Sequence, residues 1–396
     1  MKRSILLSLM MLTVLTSWAQ TLDECCKLAR ENYPEIRQYD LIAETEQYNI
    51  SNAARAWIPQ VVFSGQATYQ SATPTYPEAF NQMIAASGLD MSGVRKDQYK
   101  VAIDVSQNIW DGGQSKANRA IAEAEAAEQR SRVDVSLYDL QSRIQNLYFG
   151  ILLLDERVEQ TETLIEVLDA NLNRMRTYYK NGVAMQSDVD AIEAELLTAR
   201  QTLSQVVASR ASFRRMLEVF IGQPLTDETL TRPAMVEVAS RTSLRPELAM
   251  FDAQSNKLVA QRKAITTSVM PRFSAFAQGY YGYPGLDMFK SMVSSEWTLN
   301  AIVGVRMSWN IGAFYTQKNN LSKLDAAERQ IAIQRDVFLF NTEMQTTQDA
   351  DEIVRLRSAL EDDNRIVELR RSVRMAAESR LENGVIDATD LLRKIA

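Results

Sequence analysis

The side chains that most often carry out catalysis are scarce in this chain. Its 396 residues include two cysteines and no histidine. Histidine is the commonest general base and metal ligand, so Ser-His and Cys-His arrangements and imidazole metal sites are excluded together. Acidic pairs such as Asp362-Asp363 lie in helical charge patterns, for which a solvated surface is the usual explanation. The composition argues against an enzyme and indicates no cofactor.

The two cysteines, Cys25 and Cys26, are adjacent in a stretch that is predicted to be helical. Neighbouring residues of a helix point to different faces and do not easily form a disulfide. We therefore expect packing thiols, and a fold whose stability does not rest on disulfide bonds.

The chain contains one short motif twice, a glycine followed six residues later by an aspartate. A glycine after a helix adopts the positive φ that ends it. An aspartate favours the start of the next helix by capping it or by its charge. The motif therefore predicts two helix-turn-helix tips, which are Asn181-Gly182-Val183 with Asp188 and Asn383-Gly384-Val385 with Asp390.

These tips belong to a longer internal duplication. Each half has two prolines 25 residues apart, followed by a pair of strand-like segments that ends at a tryptophan. The second proline of each pair closes a predicted helix and opens a predicted strand, a position that proline tolerates. The landmarks are Pro34, Pro59 and Trp110 in the first half and Pro246, Pro271 and Trp309 in the second.

Both repeats are predicted to run in the order helix, two strands, long helix, tip and final helix. The second repeat stops soon after its tip, so we expect its final helix to be truncated. The first repeat covers 20–224, with helix 22–56, strands 61–70 and 99–109, long helix 113–180 and helix 187–221. After a linker at 225–243, the second covers 244–396, with helix 244–268, strands 272–283 and 297–309, and long helix 316–382.

The predicted strands alternate apolar and mixed residues with a period of two. Each is about 10–13 residues long, the length of a tilted transmembrane strand. The strand pattern fits equally a soluble sandwich with one buried face. Aromatic residues cluster at the strand ends, where a membrane barrel has its aromatic girdle, and they are Tyr69, Tyr99, Trp110, Tyr281, Tyr283, Trp297 and Trp309.

The long helical segments instead follow a heptad pattern, which resumes after the first tip from Val189 to Phe220. A helix over 113–180 would be roughly 100 Å long, more than an ordinary globular core needs. A shorter heptad run in the second half comprises Ile366, Leu369, Val373 and Ala376. The longer run comprises Leu137, Leu140, Ile144, Leu147, Ile151, Leu154, Val158, Thr161, Ile165, Leu168, Leu172, Met175 and Tyr179.

The first 19 residues have the features of a secretory signal peptide. Lys2 and Arg3 precede an apolar run that ends near Leu15, and small residues lead to an expected cleavage after Ala19. An uncleaved anchor is the alternative, but the apolar run is short for a membrane span. No cysteine follows the expected cleavage directly, so we expect no lipid anchor. The rest of the sequence has no apolar run of 18 residues, which predicts no membrane-spanning helix.

Four amphipathic strands cannot close a barrel alone, and open strand edges are not tolerated in hydrocarbon. Three chains would supply twelve strands, an even number suited to an antiparallel barrel. We therefore predict an α+β membrane protein: a homotrimer with a 12-stranded outer-membrane β-barrel, four strands per chain, continued by a periplasmic α-helical coiled-coil barrel. The alternative is a trimeric coiled-coil surface adhesin or another structural envelope protein, but an adhesin would have consecutive strands at the C-terminus.

The order of motifs resembles the TolC-type outer-membrane efflux family. The resemblance rests on Leu22-Asp23-Glu24-Cys25, Pro59-Gln60-Val61, Ile109-Trp110-Asp111-Gly112-Gly113 and the repeated glycine–aspartate motif. It implies a passive exit duct of a tripartite efflux or type I secretion system. The implied partners are a periplasmic adaptor, an inner-membrane pump of the RND or ABC type and outer-membrane lipid. The net charge of −6 argues against nucleic acid.

The same resemblance assigns roles to the two tips. It implies that Gly182, Val183, Gly384 and Val385 lie where the adaptor docks, although turn glycines alone would explain the motif. It also implies that Asp188 and Asp390 narrow the pore as acidic rings that attract cations, Asp390 being favoured. Helix capping remains the alternative for both aspartates. The family's further charged and aromatic constriction partners are not matched here, because Leu381 and Ile386 occupy such places and Arg393 stands one turn after Asp390.

Overall fold

The computed structural model describes residues 21–86, 93–225, 230–234, 244–383 and 385–386. The expected signal peptide and most of the expected linker lie outside these residues. The chain divides into two compact units. We call Met1–Arg37, Val133–Pro246 and Asp336–Ala396 the helical unit, and Gln38–Arg132 and Glu247–Arg335 the sheet unit.

Long helices and one four-stranded sheet make up the described structure. None of the described helices is long and apolar enough to cross a membrane. The elements are α1 Leu22–Asn32, α2 Gln38–Arg55, β1 Gln60–Tyr69, α3 Glu78–Ala86, β2 Asp97–Trp110, α4 Gln114–Lys180, α5 Gln186–Ile221, α6 Pro246–Ser268, β3 Arg272–Tyr283, α7 Met288–Val293, β4 Thr298–Ser308 and α8 Ala313–Glu382.

The first helix differs from the expectation of a continuous helix over 22–56. It ends at Asn32, and a 3-10 turn over Pro34–Arg37 precedes α2. Tyr33 has φ −66° and ψ 126°, an extended conformation. Proline disfavours helical backbone in the residue before it and has no N–H to donate to the preceding turn. Pro34 is therefore the physical reason for the break.

The sheet joins the two halves of the duplication. Its strands run in the order β1-β2-β3-β4, and every neighbouring pair is antiparallel. The central pair, β2 and β3, comes from different repeats. The connections within each repeat contain short helices, α3 and α7, that the sequence pattern did not predict. Four antiparallel strands per chain and long helices confirm that part of the predicted fold class.

The register sorts the strand residues into two faces. Val61 pairs with Val105, Val105 with Ala277, and Ala275 with Val305, so the apolar positions of neighbouring strands coincide. We call this side the apolar face; its larger residues are Val61, Phe63, Val101, Ile103, Val105, Tyr281, Leu299, Val303, Val305 and Met307. The charged and larger residues of the other side, the polar face, include Ser64, Gln66, Lys100, Asp104, Ser106, Arg272, Ser274, Phe276, Gln278, Tyr280, Asn300 and Arg306.

The apolar face is exposed in the chain. Phe63, Leu299 and Val303 have 72%, 81% and 78% of their surface accessible. A soluble sandwich would bury these side chains against a second layer. The exposure therefore favours the membrane interpretation over the sandwich, which the sequence pattern had left equal.

The core of the helical unit lies along the predicted heptad positions. The end of α4 packs against the start of α5 through Leu168, Leu172 and Met175 on one side and Val189, Ile192 and Leu196 on the other. Helix α1 is fastened to the end of α5, where the Asn32 side-chain amide donates hydrogen bonds to the carbonyl oxygens of Val219 and Phe220. The first of these contacts buries the heptad residues at the end of α4 and the start of α5.

Candidate functional site: strand girdle and helix tips

The aromatic residues chosen from the sequence lie at the two ends of the sheet. One group joins β2, β3 and the residue before β4: the rings of Tyr99 and Trp297 stack 6.0 Å apart, and those of Tyr281 and Trp297 are 5.4 Å apart. Tyr69 ends β1 at this same end of the sheet, because it pairs with Asp97 at the start of β2. All four aromatic side chains are exposed.

The second aromatic group lies at the opposite ends of the strands. The Trp110 ring is 5.9 Å from that of Phe273, and the Trp309 indole donates a 2.9 Å hydrogen bond to the carbonyl oxygen of Val269. The Trp309 side chain is exposed, and an aromatic ring whose N–H is anchored in this way suits a membrane–water boundary. The aromatic residues thus form two bands with the apolar face between them.

Strand β1 begins within Pro59-Gln60-Val61 and is followed by β2. Strand β2 in turn leads into a strand-to-helix turn whose backbone conformation is fixed. Gly112 and Gly113 have φ values of +69° and +87°, which favour glycine. The Asp111 carboxylate accepts hydrogen bonds from the backbone N–H groups of Gly113 at 2.9 Å and Ser115 at 2.7 Å, and from the Ser115 hydroxyl. Asp111 therefore caps α4, which gives the Trp-Asp-Gly-Gly motif a structural role.

The charge state of Asp111 follows from these contacts. Burial by itself raises the pKa of this carboxyl, but the hydrogen bonds from Ser115 and Gly113 outweigh burial and hold the pKa below its ordinary value. Asp111 is thus ionised at neutral pH, as a cap at the positive end of a helix favours.

The first tip closes with the hydrogen bonds of a helix-ending glycine. The N–H of Gly182 bonds to the carbonyl of Tyr179 at 3.0 Å, and that of Val183 to Tyr178 at 2.9 Å. Gly182 has φ +75°, and Val183 is 76% exposed. The tip therefore presents an apolar side chain outside the helix pair.

The second tip repeats this geometry where it is described. The N–H of Val385 bonds to the carbonyl of Arg380 at 2.9 Å, the same five-residue step as from Val183 to Tyr178. Val385 is 69% exposed. Gly384 and Asp390 lie outside the described residues.

The two tips lie side by side within the helical unit. Tyr178, near the end of α4, packs against the buried residues Ala377 and Leu381 of α8 and against Ile386. Sequence reasoning missed this contact and noted Leu381 and Ile386 only as departures from a family pattern. Their apolar character at the tip was the available signal, since a solvated tip has no need of it.

Asp188 acts as a helix cap in the structure. Its carboxylate accepts a 2.9 Å hydrogen bond from the backbone N–H of Met185, and the side chain is half-buried in the first turn of α5. A carboxylate is favourable there. The geometry supplies the capping role directly, and a pore role would have to coexist with it.

The described residues offer no metal site: no three acidic or cysteine side chains among them are grouped to hold an ion. Cys25 is completely buried, and burial, together with the nearby Cys26 and Glu24, raises the pKa of its thiol to about 11. A protonated, buried thiol is a poor nucleophile. Cys25 is therefore not placed for nucleophilic chemistry.

The strand sheet, the paired tips and the long helices together define the class of an outer-membrane channel subunit. Residues 26–223 match the model of the outer membrane efflux protein family. The chain belongs to this family of export channels. None of the curated proteins compared matches the chain.

Solved structures of outer-membrane channels share the fold. The outer-membrane channel OprN has a TM-score of 0.69 at 15% identity, over 94% of this chain and 83% of the other. VceC from Vibrio cholerae has a TM-score of 0.69 at 14% identity, over 94% and 89%. The open state of the MtrE channel of Neisseria gonorrhoeae has 0.63 at 13%, over 94% and 82%. The likeness extends over nearly the whole chain and shows the fold that it shares with these channels.

Proposed function

We propose that three copies of this chain form a closed barrel in the outer membrane and serve as a passive exit duct from the periplasm to the exterior. The observation that carries the proposal is the exposed apolar face opposite a polar face on the same four strands. Lipid on one side and water on the other is the environment that suits both faces.

The strand edges supply the reason for assembly with other copies of the chain. In the sheet order, β1 and β4 each have a neighbour on one side. An unpaired edge in hydrocarbon leaves backbone groups without hydrogen bonds, so β4 of one chain would pair with β1 of the next. Three chains give twelve strands, and export by the expected signal peptide at 1–19 brings the chain to the periplasm.

The distance between the aromatic bands agrees with a membrane. Tyr99 and Trp110 mark the two ends of β2 and are 11 residues apart. That separation is about 36 Å along a strand, or about 28 Å along the membrane normal at the usual tilt near 40°. The apolar band of such barrels is about 25 Å tall.

The helices support lateral partners as well. The second-half heptad residues Ile366, Leu369 and Val373 are exposed on α8. Heptad residues are normally buried against a neighbouring helix. Packing against the next chain would bury them and continue the barrel as a helical tube in the periplasm.

The tips are the proposed docking points of a periplasmic adaptor, which would connect the duct to an inner-membrane pump of the RND or ABC type. Gly182, Val183, Gly384 and Val385 belong to this proposal. Its support is the packing that places the two tips together and leaves both valines exposed. Cysteines at Val183 and Val385 should crosslink to the adaptor in cells, whereas a cysteine at the exposed Val219, at the far end of α5, should not.

Asp188 and Asp390 are proposed to form acidic rings at the narrow end of the duct. One carboxylate from each of three chains would attract cations. Asp390→Asn should reduce the cation preference measured in lipid bilayers. Unchanged cation selectivity in that variant would contradict the proposed ring of Asp390 carboxylates.

The proposed duct is tested by fractionation, electrophoresis and conductance of the full chain. We expect the protein in the outer-membrane fraction, a heat-sensitive trimer band in detergent gels, and ion-conducting channels after reconstitution. A monomer in the soluble periplasmic fraction would contradict the proposal. A trimer without conductance would instead favour the structural envelope alternative.

A further inference from the structure

The charged residues of the strands differ in sign from the chain as a whole. The chain has a net charge of −6. The polar face carries Lys100, Arg272 and Arg306 but only one acidic residue, Asp104, a surplus of two positive charges. Asp97, at the start of β2, belongs to the opposite residue set and is paired with Arg95 at 2.5 Å. The polar face is therefore locally basic.

The basic residues occupy both ends of this face. Arg272 pairs with Ser308, and Arg306 pairs with Ser274, at the ends of β3 and β4 that connect to the long helices. Lys100 is nearer the opposite end, paired with Gly282. Anything that crosses the sheet along its polar face passes a basic group near each end.

The contacts of Lys100 hold its ammonium group without removing its charge. The Nζ atom donates a 2.8 Å hydrogen bond to the side-chain oxygen of Gln278 and lies 4.4 Å from the centre of the Tyr280 ring. The Gln278 amide in turn donates to the Asp104 carboxylate. The neutral Gln278 side chain therefore lies between Asp104 and Lys100 and fixes the positions of both side chains.

Arg306 is held in a similar way by a neutral partner. Its guanidinium lies 4.7 Å from the centre of the Phe276 ring, and the residue is exposed. A ring contact of this kind positions a cation and leaves its charge in place. Its guanidinium N–H groups remain available to an anion.

We propose that the polar face makes the barrel portion of the duct favour anionic solutes, in contrast to the acidic chain and the proposed acidic tips. The inference rests on the proposed trimeric duct, in which the polar face lines the water-filled passage and appears three times. Charges of one sign along a passage with low-dielectric walls raise the local concentration of the opposite ion. Exported anions would thus be drawn past the barrel once they had passed the tips.

The test is the reversal potential of the full-length trimer in planar bilayers under a KCl gradient. The double variant Lys100→Gln/Arg306→Gln should lower the chloride-to-potassium permeability ratio by up to about tenfold at low salt. The matched double variant Lys100→Arg/Arg306→Lys keeps both charges and should keep the wild-type ratio. Asp104→Asn should move the ratio in the opposite direction, which general damage to the barrel would not do.

Ionic strength provides a second check on the same channels. The effect should be large near 0.01 M salt, where the Debye length is about 30 Å, and should nearly vanish at 1 M, where it is about 3 Å. Ions pass the tips as well as the barrel, so the tips contribute to every measured reversal potential. The test therefore compares the reversal potentials of the variants with one another.

Two failures can be told apart. Conducting channels whose reversal potential is the same in the wild type and in Lys100→Gln/Arg306→Gln would overturn the anion preference and leave the duct standing. Wild-type trimers that never conduct would overturn the proposed duct, and the anion preference with it.

Discussion

The α4–α5 hairpin and the strand sheet both carry a continuous apolar surface, and they treat it in opposite ways. In the hairpin, Ile192 of α5 is completely buried in the cluster that it forms with α4. On the sheet, Leu299 and Val303 are largely exposed. Both surfaces obey the same hydrophobic driving force. The hairpin buries its apolar surface within the chain, whereas the sheet leaves its apolar surface exposed, and the proposed duct would cover that surface with lipid.

This difference shows that apolar content alone does not tell a core from a membrane surface. The spacing of the apolar residues gives the element, with heptads for the hairpin and alternation for the strands. The burial found in the fold then identifies the medium. Each prediction below changes one of the two surfaces and leaves the other as its reference.

The largest effect is expected from a charge on the apolar face. Val303→Arg would place a guanidinium in each of three chains at mid-strand, at a cost of about 2–4 kcal/mol per copy near the bilayer centre. We expect loss of the heat-sensitive trimer from the outer-membrane fraction. Gln66→Arg adds the same side chain to the polar face and should assemble normally; equal loss in both variants would contradict the assignment of the faces.

The next effect belongs to the hairpin. Ile192→Ala should lower the unfolding free energy by about 2–5 kcal/mol, because it leaves a cavity in a packed core. Leu197 on the same helix is exposed, and Leu197→Ala should change that free energy by about 0.5 kcal/mol or less. Thermal unfolding followed by circular dichroism separates the two, and equal shifts would argue against the α4–α5 core.

A smaller effect distinguishes two turn glycines. Both Gly112 and Gly182 have positive φ, so alanine is strained at either position by about 1–2 kcal/mol. A Cβ atom at Gly112 would lie 2.7 Å from the Cβ of Met270, whereas one at Gly182 would meet no atom within 4 Å. Gly112→Ala should therefore cost about 1–3 kcal/mol more than Gly182→Ala in the same thermal assay. The reverse order would contradict the packing of the sheet unit at this turn.

The smallest expected effect is the acid sensitivity contributed by Asp111. Its folded pKa lies below the ordinary value of 3.8, so the stabilisation is fully present above that value and is lost as the pH falls through the folded pKa. Asp111→Asn should flatten the decline in unfolding temperature below about pH 4. An unchanged decline would mean that this carboxylate does not contribute to acid stability.

Local sequence patterns predicted much of the fold. The period of two placed the four strands, because a half-exposed strand has to alternate. The heptads placed α4 and α5, since helix packing requires that spacing. The break at Tyr33 could have been predicted from Pro34, because the residue before a proline disfavours helical backbone.

The remaining features depend on contacts between distant residues. The packing of Tyr178 against Leu381 joins the two repeats, and no local pattern encodes it. The same holds for the bridge from Lys100 to Gln278, which depends on the pairing of β2 with β3. The exposure of the apolar face also required the fold, because alternation is common to soluble and membrane strands.

The most direct test of the central claim, that one face of the sheet meets lipid and the other meets water, is a spin-label scan of β4 in reconstituted trimers. Single cysteines at 299 to 307 would be labelled in a background in which Cys25 and Cys26 are replaced by Ala and Ser and trimers still form. We predict that labels at Leu299, Ala301, Val303, Val305 and Met307 are accessible to oxygen dissolved in lipid, and that labels at Asn300, Ile302, Gly304 and Arg306 are accessible to a water-soluble nickel chelate. Uniform accessibility along the strand, or the opposite alternation, would contradict the account.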